Sequence, residues 1–278
     1  MSGCPHSRSA VVDPCEGAPQ AARRRLDLTG KPGYAPRAMT SPSAASTPHG
    51  TSTRSSAVWA ALEPILGAGP VRVLDVGGGT GGFAVPLAQR GHTVTVVDPS
   101  PDALALLARR AQAAGVAGTV SGVQGDADRL TDVVAADSAD LVLCHHVLEF
   151  VDEPSSAAAA LATCLRSGGW LSLLVANQAA AVMSRAVGGR PEEALALLEG
   201  KSDGTQHRRF EIDALHGVLT GAGLSVQSWH GVRVIVDLLP AMEAGTEQSA
   251  VVRQLETVLS RRSPYRDMAT DLHLLCRR

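Results

Sequence analysis

Val71-Arg72-Val73-Leu74-Asp75-Val76-Gly77-Gly78-Gly79-Thr80-Gly81-Gly82 is a short apolar run that breaks into glycines. A short apolar run of this kind marks a buried strand, and the glycines mark a turn whose backbone can approach a ligand closely. A helix carrying Phe83, Leu87 and Ala88 is expected directly after it. Working outward, Thr93 to Val97 gives a second strand, and Ser100-Pro101 opens a helix reaching Ala114, with the serine as cap and the proline at the first helical position. Thr119 to Val123, Leu141 to Cys144 and Trp170 to Val175 supply three more apolar runs, with a helix from Ser155 to Leu165 between the last two. Upstream, Ser55 to Leu66 presents Val58, Leu62 and Leu66 on one helical face. Strands separated by helices of ten to fifteen residues imply βαβ units, hence an α/β fold with a parallel sheet covered on both faces.

Beyond Asn177 the pattern changes. Residues 179–210 are expected to form a helical insertion broken at Gly188-Gly189 and near Gly200 to Gly204. A helix from Ile212 to Ala222, the apolar stretch Leu224 to Val236, a charged helix from Glu247 to Arg261 and a last strand at Leu272 to Cys276 complete the chain. Residues 51–278 thus form one domain. Residues 1–50, rich in Ser, Pro, Ala and Gly, cannot bury enough apolar surface to offset their ordering entropy and are expected to be a disordered tail. Met39 is a candidate start residue.

Composition narrows the function classes. The 278 residues are 45% apolar and 19% charged, with a net charge of −2, which advertises neither a polybasic nucleic-acid binder nor a membrane-surface protein. No apolar stretch has the length of a membrane span, and no secretory leader is expected. The five cysteines form no C-x-x-C pair, so reduced thiols in a cytoplasmic protein are expected, with no metal.

Gly77, Gly79 and Gly82 also satisfy G-x-G-x-x-G, which alone would suit a dinucleotide. Asp75 separates the two readings. A carboxylate two residues before the turn is unfavourable beside a pyrophosphate and favourable beside the ammonium of S-adenosyl-L-methionine. Asp98, at the second strand's end, can accept from both ribose hydroxyls. Asp126, in Gly125-Asp126-Ala127 after the third strand, can accept from an adenine amino group.

With these residues the chain resembles the class I S-adenosylmethionine-dependent methyltransferases, whose Rossmann-like, mostly parallel seven-stranded sheet is therefore expected. His145-His146-Val147-Leu148-Glu149-Phe150-Val151-Asp152-Glu153-Pro154, Leu171-Ser172-Leu173-Leu174 with Asn177, Gly231-Val232-Arg233-Val234 with Asp237, and a tail matching at Leu255-Glu256, Pro264-Tyr265 and His273 make it similar to the bacterial tRNA 5-carboxymethoxyuridine methyltransferases. The family's usual Trp after Leu-Glu is Phe150 here, and its basic stretch is reduced to Lys201, His207, Arg208 and Arg209. The resemblance implies a cofactor site made of Arg54, Asp75, Gly77, Gly78, Gly79, Asp98, Pro99, Asp126, Ala127 and His145, with Arg54 facing the cofactor carboxylate. It also implies a carboxylate acceptor, ionised at pH 7 and in need of a cationic clamp, for which Arg233, His145 and His146 are candidates. For a hydroxyl or amine acceptor, His146 is the candidate base.

Bland alternatives stand beside each of these. Glu149 could cap the next helix, Arg233 could simply pair with Asp237, and Trp229 and Tyr265 could be core residues rather than base-stacking platforms. The acceptor is tRNA or a small molecule of specialised metabolism, and a non-catalytic cofactor-binding protein is the reading from another class.

Overall fold

The computed structural model describes residues 55–200, 207–239 and 246–278. The expectations at Arg54, Lys201 and residues 1–50 lie outside the described residues. Seven strands form one sheet: β1 (Arg72–Val76), β2 (Thr93–Asp98), β3 (Val120–Gln124), β4 (Ala139–His145), β5 (Leu165–Ala176), β6 (Ser225–Val232) and β7 (Asp271–Arg277). Their order is β3-β2-β1-β4-β5-β7-β6. The first five are mutually parallel, and β7 runs antiparallel to both β5 and β6, so the sheet is mixed rather than wholly parallel. Among the described residues the helices are α1 (Ser56–Leu66), α2 (Ala84–Gln89), α3 (Pro101–Ala113), α4 (Pro154–Cys164), α5 (Gln178–Val187), α6 (Pro191–Leu198), α7 (Ile212–Gly221) and α8 (Glu247–Leu259).

Strand alternation divides the core into two layers. Leu74 and Val76, Val142 and Cys144, Leu171 and Leu173, and Leu272 and Leu274 pack with α4 and α7 on one face. Val73, Leu141, Leu143, Leu174 and Leu275 pack with α1, α2 and α3 on the other. A period of two therefore assigns Asp75, His145, Ser172, Asp271 and His273 to this second face. The polar side chains that break the apolar runs thus gather on one side of the sheet.

Local chemistry sets the element ends. Ser100 accepts from the Ala103 N–H at 3.2 Å, with Pro101 in the first turn, as the sequence indicated for α3. Asn177 caps α5, its Oδ1 accepting from the Ala179 N–H at 3.0 Å. The insertion is more regular than expected, two helices split at Gly188-Gly189, where Gly189 takes φ +75°. β5 begins at Leu165, five residues before the expected Trp170, and its pairing with β4 shifts register between Ala139 and Leu141. The apolar stretch to Val236 gives a strand only as far as Val232, because Arg233 turns left-handed at φ +61°. β3 is an edge strand with little burial.

Candidate cofactor and acceptor site

The glycine turn sits where β1 meets α2, at the carboxyl end of the sheet. Gly77, Gly79 and Gly81 have φ of +70°, +54° and +82°, conformations that side chains resist. The Gly77 N–H donates to the Val97 carbonyl at 2.7 Å, which locks the turn against β2. A Cβ on Gly77 would run into Val147, and one on Gly78 would lie 2.5 Å from Asp75 Oδ2. Asp98, nearly buried, accepts from the Gly79 N–H through Oδ2 and from the Ser100 N–H through Oδ1, each at 2.9 Å. It therefore ties the turn to the start of α3. A cavity of about 230 Å³ opens beside this joint, lined by Gly77, Val97, Pro99, Asp126, Ala127 and Phe150 among others. Asp126 is also a cap, Oδ1 accepting from the Asp128 N–H at 3.1 Å.

Asp75 tests whether this crevice fits a ligand bearing a cation. It is 3% exposed, and burial followed by the neighbouring Asp98 charge raises its carboxyl to about 7. A buried acid beside a second acid is unfavourable until a positive group joins it, and an aminoacyl ammonium satisfies that need. Two pH dependences follow. A folded value above the ordinary 3.8 means that the free protein loses stability as pH rises from about 4 to about 7, with no further loss above. Cofactor affinity should instead rise with pH up to about 7.5, beyond which the α-amino group begins to lose its own proton. Isothermal titration in buffers of differing ionisation enthalpy should show protons released below pH 7, and Asp75→Asn should abolish that release. A pH-independent affinity in the native protein would refute the assignment.

His145 ends β4 on the α1–α3 face. Its Nε2 lies 2.9 Å from Ser172 Oγ, which lies 2.8 Å from His273 Nε2. Ser172 has one proton, so it donates to one ring and accepts from the other, and the two histidines are opposite tautomers. Phe83 meets the His145 ring edge to face at 4.8 Å and stacks on Trp59 at 4.9 Å. Burial, then the adjacent His146, lowers His145 to about 3, so it is neutral at pH 7 and cannot serve as a cationic clamp.

His146, just past the end of β4, has φ +55° and leaves the strand alternation. Its Nδ1 is 3.0 Å from Glu149 Oε1 and its Nε2 is 3.7 Å from Asp271 Oδ2. Burial opposes the charged ring, but the Glu149 bond and the Asp271 charge prevail, leaving its pKa raised. Glu149 is not a helix cap. Oε1 also accepts from the Ala176 N–H at 2.8 Å, and the buried Oε2 has no partner among the described residues.

Arg233, also left-handed, forks onto Asp271 with bonds of 2.8 and 3.0 Å, and its Nη1 is 3.2 Å from Asp237. The Asp237 pairing was foreseen as the plain alternative; the stronger Asp271 pairing was not. Among the aromatic candidates, the Arg266 guanidinium already covers Trp229 at 3.8 Å, whereas Tyr265 is exposed. The reduced basic stretch is partly committed to structure: the Arg208 N–H donates to the Glu149 carbonyl and Nη1 to the Val151 carbonyl, both at 3.0 Å. His207 meets the exposed Phe150 edge to face at 4.6 Å.

Sequence reasoning missed Asp271 and took Ser172 and His273 only as motif residues of the resemblance, with no role in the site. Their signal was a polar residue at an inward position of an otherwise apolar strand, as in Leu171-Ser172-Leu173 and Leu272-His273-Leu274. No group of three or more metal-ligating side chains suited to an ion occurs among the described residues. No helix there is long and apolar enough to cross a membrane.

Residues 74–173 match a family described as a methyltransferase domain. The chain is 30% identical over 230 residues to the tRNA 5-carboxymethoxyuridine methyltransferase of Escherichia coli K12, covering 81% of this chain and 88% of that one. It is 35% identical over 181 residues to a ubiquinone biosynthesis O-methyltransferase of Xanthomonas axonopodis pv. citri, covering 63% and 70%. An S-adenosylmethionine-dependent methyltransferase from Mesorhizobium loti shares the fold, with TM-score 0.56 and 19% identity over 82% of this chain and all of that one. The chain belongs to the class I S-adenosylmethionine-dependent methyltransferases, in the family that includes the tRNA 5-carboxymethoxyuridine methyltransferase of Escherichia coli.

Proposed function

We propose that this enzyme methylates the carboxylate of 5-carboxymethoxyuridine in tRNA, in the cytoplasm. The observation that carries the reading is the length of the relationship to the Escherichia coli enzyme: 230 residues, more than double the 74–173 stretch common to methyltransferase domains. S-adenosylmethionine supplies a methyl group already activated by its sulfonium charge. Asp98 would receive the ribose hydroxyls, Asp75 the ammonium and Asp126 the adenine amine. The backbone at Gly77, Gly78, Gly79, Pro99 and Ala127 would line the crevice, with Arg54 and His145 at the aminoacyl end. A carboxylate acceptor needs no base, so the protein's work is to orient it and to strip its water. Arg233 and His146 supply the positive charge that offsets this desolvation.

The His146–Glu149 pair favours one other reading, methylation of a small-molecule hydroxyl. A base held by a carboxylate at Nδ1 is the usual arrangement for removing an O–H proton. The acids Glu149, Asp237 and Asp271 also outnumber the two cations, which suits a neutral acceptor. Mass spectrometry of tRNA nucleosides from cells with and without the gene decides between them. The ester of 5-carboxymethoxyuridine should vanish on deletion and return when purified enzyme and S-adenosylmethionine are added to the deficient tRNA. Unchanged ester in a host that makes the precursor would sink the tRNA reading.

A further inference from the structure

The cofactor crevice lies at the carboxyl ends of the parallel strands. At their amino ends, a larger cleft of about 620 Å³ opens between α1 and the strands β4 to β7. That volume lies within the range of small-molecule sites. Its floor is apolar, from Ala61 and Ile65 of α1 and Leu275 of β7, and Trp170 stands at its side.

The rim is cationic. Arg166, Arg261 and Arg277 line the cleft against one acid, Asp140. Asp140 is already satisfied: it pairs with Arg166, with Arg72 Nε at 3.2 Å, and accepts from the Arg72 N–H at 2.7 Å. Neither Arg261 nor Arg277 has a carboxylate partner among the described residues. Arg277 lies over the Trp170 ring, its Cζ 4.7 Å from the centroid, which fixes the plane of the fork while leaving its N–H edges available. In a chain of net charge −2, this concentration of unpaired guanidinium is a local exception. On the inner wall, His230 is 9% exposed and its Nδ1 has no hydrogen-bond partner among the described residues. A buried ring nitrogen left without a partner carries a cost that a ligand's polar group removes.

We propose that this cleft binds a small phosphate ester of nucleoside monophosphate size. Its phosphate meets Arg261 and Arg277, its body lies on the apolar floor, and a polar atom reaches His230 Nδ1. Planar forks match phosphate oxygens in pairs, and the apolar floor beside them suits the body of a compact molecule better than a charged polymer backbone. The site stands apart from the cofactor crevice and does not depend on which acceptor is methylated.

Uridine monophosphate is the probe, titrated into the full chain saturated with S-adenosylhomocysteine so that the cofactor site is closed to it. Binding should occur, should be competed by inorganic phosphate, and should shift the His230 ring resonances. Both arginines are exposed, so Arg261→Gln and Arg277→Gln should each fold normally and bind S-adenosylmethionine as before, while weakening uridine monophosphate tenfold or more. Absence of binding overturns the proposal, as does binding that neither substitution changes. If instead the two variants lose affinity for tRNA while uridine monophosphate never binds, the cleft meets an RNA backbone and the small-ligand assignment falls.

Discussion

In Asp98→Ala, S-adenosylmethionine binding should weaken by about 100-fold, with loss of methyl transfer at ordinary cofactor concentrations. Two contributions combine. On the proposed assignment the carboxylate would accept both ribose hydroxyls, and it already accepts the N–H groups of Gly79 and Ser100. Hydrogen bonds to a charged group contribute about 1.5–3 kcal/mol each. Losing roughly 3 kcal/mol, after partial replacement by water, corresponds to about two decades in Kd. The substitution also releases Gly79, which holds φ +54° and whose N–H donates to Asp98. Asp98→Asn separates the contributions: its amide oxygen can still accept one backbone N–H and one ribose hydroxyl, but its NH2 faces the other backbone N–H and accepts nothing, so its affinity should fall between the other two. Isothermal titration reads the affinities, and thermal unfolding reads the turn. An Asp98→Ala protein within about threefold of the native affinity would remove Asp98 from the site.

The strands and the glycine turn were legible because their signals are local. The apolar run Val73 to Val76, the cap at Ser100-Pro101, and carboxylates at the ends of β1 and β2 all lie within a few residues of what they determine. The acceptor side was legible only in part. His146 and Arg233 stood out as candidates, yet what defines their geometry is a left-handed backbone at each, and neither residue type announces that conformation. Their common partner, Asp271, is 38 residues beyond Arg233, and the Ser172–His273 contact spans 101 residues. Such pairings exist only because β7 inserts antiparallel between β5 and β6, a topological choice that no local pattern encodes. Glu149 illustrates the same limit: from the sequence it could cap a helix, but β5 brings the Ala176 N–H to it instead.

Asp271 is where stability and acceptor chemistry meet. It is 2% exposed and holds Arg233 in a two-pronged pair, while His146 approaches from the other side. Removing one member of a buried pair costs about 3–5 kcal/mol, and the surviving Asp237 contact should reduce this to roughly 2–3 kcal/mol. For a domain of this size, Asp271→Ala should therefore lower Tm by about 5–10 °C. Arg233→Met should cost a similar amount by stranding Asp271. The double variant should cost clearly less than the sum, because neither charge is then left alone. Additive losses would mean that the pair is not a unit. The milder Asp271→Asn keeps the shape and removes the charge, and its kinetics distinguish the acceptors. If the acceptor is a carboxylate, an Arg233 freed of one counter-charge should attract it more strongly, so KM falls while kcat changes little. If the acceptor is a hydroxyl, His146 loses one of the two carboxylates that raise its pKa, so the acid limb of the kcat–pH profile should move to lower pH while KM holds. A raised KM for 5-carboxymethoxyuridine tRNA in Asp271→Asn would contradict the clamp assigned to Arg233, because removing a negative charge can only improve the field that an anionic acceptor meets.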